Sequence, residues 1–105
     1  MKKNISYWLM PMAVKKSVDW VIDSVCTHFG ITILEMRSKS RVKKYVEARR
    51  MIAYLLYSNK YKLTFKEIGI LLGYRNHATI ISLVRSSQGF IEVDKKYKEL
   101  VMSFY

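Results

Sequence analysis

Two helix signals placed back to back constrain this chain most. Thr64-Phe65-Lys66-Glu67 has the spacing of a capping box, in which the Thr side chain and the Glu carboxylate satisfy backbone N–H groups at a helix start. Directly after it, Leu72-Gly73-Tyr74-Arg75-Asn76-His77-Ala78-Thr79-Ile80 supplies a stop and a second start. Gly73 ends the first helix, and Asn76 carries the short acceptor side chain that caps the next. Two helices separated by the turn Gly73 to Asn76 read as a helix-turn-helix.

The rest of the chain reads as helix as well. Val18, Val21, Ile22, Val25 and Phe29 recur at steps of three and four, one face of an amphipathic helix that Gly30 stops. Asp19 and Asp23 lie off that face, where acids near the amino end suit the helix dipole. Thr32-Ile33-Leu34-Glu35 has capping-box spacing and opens a short helical turn. Met36 to Arg41 reads as a polar, basic loop. A third helix runs from about Val42 to Ser58 with Tyr45, Ala48, Ile52 and Leu55 inward, and Ser58-Asn59-Lys60 breaks it. Ile68, Leu71 and Leu72 form the buried side of the fourth. The fifth extends from His77 to about Ser87, with Ile80, Leu83 and Val84 inward, and Gly89 is expected to terminate it. Asp94 caps a last helix with Tyr97, Leu100, Val101 and Phe104 on its apolar stripe. No strand alternation and no repeat interrupts this pattern, so the chain is expected to be all-α with six helices. Residues 1–14 show no period and read as an irregular arm with apolar anchors at Trp8, Leu9 and Met10; residues 15–105 read as the helical domain. A length of 105 residues allows one domain, and a half-apolar composition supports a small core.

Charge narrows the function. The chain has 19 Lys and Arg against 8 Asp and Glu, a net charge of +11. Between Arg37 and Arg85 twelve basic residues face only Glu47 and Glu67, so that segment carries +10 of the total. A charge run is usually a solvated face, but this one brackets the helix-turn-helix and favours a polyanionic partner. Other functions find little support. Cys26, His28 and His77 lack metal-site spacing, and no pair of acids is arranged for proton transfer, so neither an enzyme nor a metal or cofactor site is expected. The single cysteine excludes an internal disulfide, fits a reducing compartment and reads as a buried small hydrophobe. The apolar run Tyr7 to Val14 is broken by Pro11 and has no cleavage site after it, so it is not a signal peptide, and no run is long enough to span a membrane. The eight Tyr could stack single-stranded bases, but Tyr45 and Tyr97 fall on core stripes, which favours packing.

A helix-turn-helix puts the N-terminal residues of its second helix into the major groove, and here they are Asn76, His77, Ala78 and Thr79. Asn can pair bidentately with adenine, Ala can touch a thymine methyl, and His and Thr can donate to phosphate or base edges. Free backbone N–H groups there also favour phosphate. Each has a plain structural reading beside this one: Asn76 is also a cap, and a lone His is more often structural.

The segment from about Val18 to Phe104 resembles the C-terminal DNA-binding domain of the bacterial chromosomal replication initiator DnaA. The matching pieces come in order: FGI at Phe29 to Ile31, SKSR at Ser38 to Arg41, EARR at Glu47 to Arg50, KEIG at Lys66 to Gly69, then LGYRNHATI, which is similar to the signature GGRDH[ST]T[VI]. The resemblance implies a Trp-repressor-like helical fold that recognises short duplex sites. It implies that Arg41 enters the minor groove and that Asn76, His77 and Ala78 read the major groove. It places Lys39, Arg49, Arg50 and Thr79 on phosphates and matches Arg75 to the signature arginine; Lys43, Lys66 and Arg75 are expected on phosphates as well. Two departures change the expected target: Asn76 replaces an acid, and Ala78 replaces a hydroxyl residue. An extra residue before Thr64 keeps Tyr57, Lys60 and Lys62 out of the correspondence.

The initiator's ATPase module has no counterpart here, since the chain has no G-x-x-x-x-G-K-[ST]. Met1 and the unmatched arm favour a stand-alone protein: a regulator, a competitor for initiator sites, or a phage or mobile-element factor, bacterial or phage-encoded, cytoplasmic and nucleoid-associated. The expected partner is double-stranded DNA, in replication initiation or its regulation. The alternatives are a protein-interaction module that kept the fold and docks through the arm around Trp8 to Met12, and a non-specific single-strand or RNA binder. The sequence does not give the oligomeric state.

Overall fold

The computed structural model describes residues 17–58 and 61–104, and the arm expected at residues 1–14 lies outside them. Among the described residues there are six helices and no strand: α1 (Val18–Phe29), α2 (Ile33–Arg37), α3 (Lys43–Tyr57), α4 (Phe65–Leu71), α5 (His77–Val93) and α6 (Lys95–Met102). The all-α expectation holds.

Helix α3 is the hub. Ala48, Met51, Ile52, Ala53, Leu55 and Leu56 on it are buried, which leaves little of its circumference for solvent. It packs against α1, α2, α4 and α5, while α5 also meets α4 and α6. Val21, Ile22, Val25 and Cys26 of α1, Met36 of α2, Ile68 of α4, Ile80 and Val84 of α5 and Val101 of α6 close the core around it. Fully burying side chains of this size is worth about 1.5–3 kcal/mol each, so apolar periodicity dominates the architecture.

The helix boundaries follow the side chains that satisfy free backbone groups. Ser17 accepts from the Trp20 N–H (3.0 Å) to start α1. Both capping boxes form. Thr32 accepts from the Glu35 N–H while Glu35 accepts from Thr32, and Thr64 and Glu67 do the same on α4. Asn76 caps α5 and Asp94 caps α6. Ser58 closes α3, and the next two residues of its expected break lie outside the described set.

One boundary is corrected. Helix α5 runs through Gly89 to Val93 instead of stopping there. Glycine costs a helix interior about 1 kcal/mol relative to alanine, and tertiary contacts on either side of it offset that cost. Phe90 meets the ring of Tyr97 with centroids 5.5 Å apart, Ser87 and Tyr97 share a 2.7 Å hydrogen bond, and Ile91 packs against the core. The last two turns of α5 are therefore held by α6.

Candidate nucleic-acid interface

The helix-turn-helix depends on two glycines. The Arg75 N–H donates to the Gly69 carbonyl (2.9 Å), folding the turn back onto α4. A Cβ at Gly69 would overlap the Arg75 carbonyl oxygen, so only glycine permits the approach. Gly73 sits at φ 95°, and a Cβ there would overlap the Arg37 carbonyl oxygen. The turn thus lies directly against the end of α2 as well as α4.

Three arginines then fasten the start of the basic loop, Ser38 to Val42, and the end of α2 to α3, to the end of α4 and to that turn. Arg49 Nε donates to the Met36 carbonyl (2.6 Å) and Nη2 to the Ser38 carbonyl (2.7 Å). Arg75 Nη2 donates to the same Ser38 carbonyl (2.5 Å), and its Nη1 reaches the Leu72 carbonyl and the Arg37 carbonyl (3.3 Å). Arg37 Nε donates to the Leu71 carbonyl (2.8 Å). Two serines lace the loop itself: Ser38 Oγ donates to the Glu35 carbonyl and accepts from the Ser40 N–H, and Ser40 Oγ accepts from the Val42 N–H.

Above this clamp lies an open groove of about 490 Å³ lined by Lys39, Arg41, Val46, Arg49, Arg75, Thr79 and Leu83. No acid is among its lining residues. Burial, then the charges of Arg75 and Arg41, hold the Arg49 guanidinium below its ordinary pKa, and burial does the same to Arg75. The groove therefore concentrates like charge that an anion would stabilise.

Beside it, Asn76, His77, Ala78 and Thr79 are all exposed at the amino end of α5. The Asn76 side-chain oxygen accepts from the Thr79 N–H (2.9 Å). Capping fixes the orientation of the amide, since a backbone N–H needs an oxygen opposite it; the Asn76 NH₂ is then left facing outward. The rings of His77 and Phe65 meet in a T-shaped pair (6.2 Å, 83° between planes), and Phe65 stacks on Tyr57 (4.7 Å, 13° between planes). A second cleft, about 290 Å³, runs along the other side of the turn between Lys66, Ile70, Tyr74, Arg75, Asn76 and His77.

The structure brings Lys39, Arg41, Arg49, Arg75 and Thr79 to one groove and Lys66, Arg75, Asn76 and His77 to the adjoining cleft. Ala78 is exposed between Asn76 and Thr79, which border the two; Lys43 is exposed at the start of α3 and lines neither. Two expected phosphate contacts have other occupations. Arg49 is only 4% exposed and spends its guanidinium on loop carbonyls. Arg50 is half-buried, with its guanidinium carbon 4.9 Å above the Phe90 ring. Phe90 is thirteen residues past His77, roughly 20 Å along the helix. Sequence reasoning missed Arg37 and the Ser38 carbonyl as parts of the clamp. A main-chain acceptor has no sequence signal of its own.

Comparison of the sequence with known proteins places it in one family. Residues 18–86 match the family described as the bacterial DnaA protein helix-turn-helix, a span that covers α1 to the middle of α5. The chain is 30% identical over 82 residues to the chromosomal replication initiator protein DnaA of Bacteroides thetaiotaomicron and 33% identical over 82 residues to that of Bacteroides fragilis. Each alignment covers 78% of this chain and 17% of the relative. The DnaA of Flavobacterium psychrophilum is 26% identical over 110 aligned residues, covering 95% of this chain and 23% of that protein. The chain spans less than a quarter of the length of these relatives, and it belongs to the family of the bacterial DnaA helix-turn-helix.

Proposed function

We propose that the protein binds double-stranded DNA with a sequence preference and acts in replication initiation or its regulation, without catalysis of its own. The amino end of α5 enters the major groove, where Asn76, His77 and Ala78 face base edges. Arg41 enters the adjoining minor groove. Lys39, Lys43, Lys66 and Thr79 hold phosphates, with Arg75 contributing positive charge from beneath. Arg49 acts as the residue that positions the loop, and Arg50 belongs to the packing of α3 on α5. The observation that carries this reading is the acid-free groove in which Lys39 and Arg41 of the loop meet Thr79 of α5, next to an uncovered helix start.

The capping geometry adds a direction to the preference. With its oxygen engaged by the Thr79 N–H, Asn76 offers donors outward. It therefore favours a base that presents an acceptor, such as purine N7, guanine O6 or thymine O4, over the cytosine amino group.

Selection of bound duplexes from a random pool, followed by anisotropy titrations at several salt concentrations, tests this. A recovered motif and a steep fall of affinity with salt are expected. Asn76→Asp keeps an N-cap of equal strength and replaces the outward donor with an acceptor. It is expected to move the preferred base toward cytosine, with discrimination changed by about 1–3 kcal/mol. Lys39→Ala is expected to weaken specific and random duplexes alike. No recovered motif, or identical effects of the two substitutions, would overturn the assignment.

A further inference from the structure

The turn carries a side chain that folding does not require. Tyr74 stands at φ 63°, in the left-handed region, and is 82% exposed. A bulky L-residue is disfavoured there, whereas Gly and Asn adopt it readily. The core gains nothing in return, because the ring points into solvent. Both the turn geometry and the packing would be better served by a small residue, so the tyrosine needs another account.

Its position supplies one. The ring borders the cleft shared with Lys66, Arg75, Asn76 and His77, two residues before the cap of α5. In the DNA-bound pose proposed above, a turn that delivers a helix start to the major groove passes over the sugar–phosphate strand at the groove's edge. An aromatic body with a hydroxyl tip matches that strand, which is apolar at the deoxyribose and anionic at the phosphate. We propose that Tyr74 is a DNA-backbone contact: its ring lies against a deoxyribose and its hydroxyl donates to the neighbouring phosphate. This rests on the duplex-binding reading and adds a residue whose contribution is neutral in charge and indifferent to sequence.

The test compares the unsubstituted protein with Tyr74→Gly, Tyr74→Asn and Tyr74→Phe, by anisotropy on the selected duplex, a random duplex and a single strand, and by thermal melts. Tyr74→Gly and Tyr74→Asn are expected to bind both duplexes about tenfold more weakly, equivalent to ~1.4 kcal/mol. Tyr74→Phe should show a smaller loss, about threefold, from the missing hydroxyl. The salt slope stays unchanged in all three, because no charge is removed, while Lys66→Ala makes it shallower. At the same time the Gly and Asn variants should melt higher, by about 3 °C, as the left-handed strain is relieved. Weaker binding by a more stable protein is a combination that a purely structural role cannot give. Duplex affinities unchanged in Tyr74→Gly and Tyr74→Asn, a lowered melting temperature, or a loss confined to the single strand would overturn this inference alone. Failure of the unsubstituted protein to bind any duplex would overturn the duplex-binding reading itself.

Discussion

Arg49 offers the sharpest test of how this domain is built. A cation on the long helix of a basic protein invites a phosphate contact, yet its guanidinium is buried and points at two main-chain oxygens. Arg49→Ala removes two hydrogen bonds from a charged donor, each worth about 1.5–3 kcal/mol. The Ser38 carbonyl keeps Arg75 as a donor, so its loss is partial. The carbonyl of Met36, a residue with no exposed surface, loses the Arg49 donor outright. Against these costs, the substitution relieves the desolvation of the guanidinium and its repulsion from Arg75 and Arg41, the causes that depress its pKa. Together these leave a net destabilisation of about 3 kcal/mol, or roughly 15 °C in melting temperature for a domain of this size.

Arg49→Lys separates the two roles. A lysine keeps the charge but cannot donate to both carbonyls at their present positions from one flexible ammonium. For a phosphate contact, the Lys variant would bind DNA nearly normally. For a clamp, it should lose about 2 kcal/mol of stability, since one charge-assisted bond goes. Its duplex affinity should fall because the Arg41 loop is loosened, while the salt slope remains that of the unsubstituted protein. Urea denaturation and salt-dependent anisotropy on the same samples provide the comparison. Should both variants keep their stability within about 0.5 kcal/mol, the range of ordinary surface substitutions, the clamp argument is wrong and Arg49 returns to the phosphate contacts.

Three further outcomes follow from other parts of the structure. Gly89→Ala lies on an exposed helical site with open space at its Cβ, so it should stabilise the fold by about 0.5–1 kcal/mol in a thermal melt and leave DNA affinity unchanged. Gly69→Ala should do the opposite: its methyl group meets the Arg75 carbonyl, so a loss of about 2–3 kcal/mol is expected in urea unfolding, or a displaced turn seen as altered amide shifts for residues 73–77. Burial, then the charge of Asp23, raises the Cys26 thiol from 9.0 to about 11 against an opposing effect of Arg37. Because the raised pKa favours the protonated folded state, that contribution is complete below about pH 9 and is lost as pH rises toward about 11. The thiol should accordingly react slowly with iodoacetamide at pH 8 in the folded protein and quickly in urea; equal rates would mean that Cys26 is accessible.

The helices were legible because their signals are local and periodic. The stripes from Val18 to Phe29 and from Ile80 to Val84, the two capping boxes and the Asn76 cap each depend on residues within one or two turns of one another. Gly89 misled because its helix-stopping tendency is also local, while the contacts that override it come from Tyr97 on another helix. At the candidate site the same division holds. Asn76 could be placed at a helix start from sequence, but the direction of its amide required the Thr79 N–H. Arg49 did leave one trace: it sits between Ala48 and Met51 on the most buried stretch of α3, where a solvated charge is out of place. Its partners are carbonyls from positions eleven and thirteen residues earlier, and no side-chain pattern announces them.

That choice of partner has a physical reason. If the loop holds Lys39 and Arg41 toward DNA as proposed, it cannot be stapled by large apolar side chains without filling the groove beside it. Nor can carboxylates fasten it without cancelling the field that draws phosphate in. Guanidinium groups meet both requirements: they occupy buried main-chain acceptors, are planar enough to share one carbonyl, and keep their charge. The Ser38 carbonyl, accepting from Arg49 at 2.7 Å and Arg75 at 2.5 Å, is where the requirements converge. Two cations there repel each other, and a phosphate seated above Thr79 would ease that repulsion while engaging the exposed amino end of α5. In this reading the fold tolerates an internal electrostatic strain that its ligand relieves, so a bound duplex should stabilise the loop.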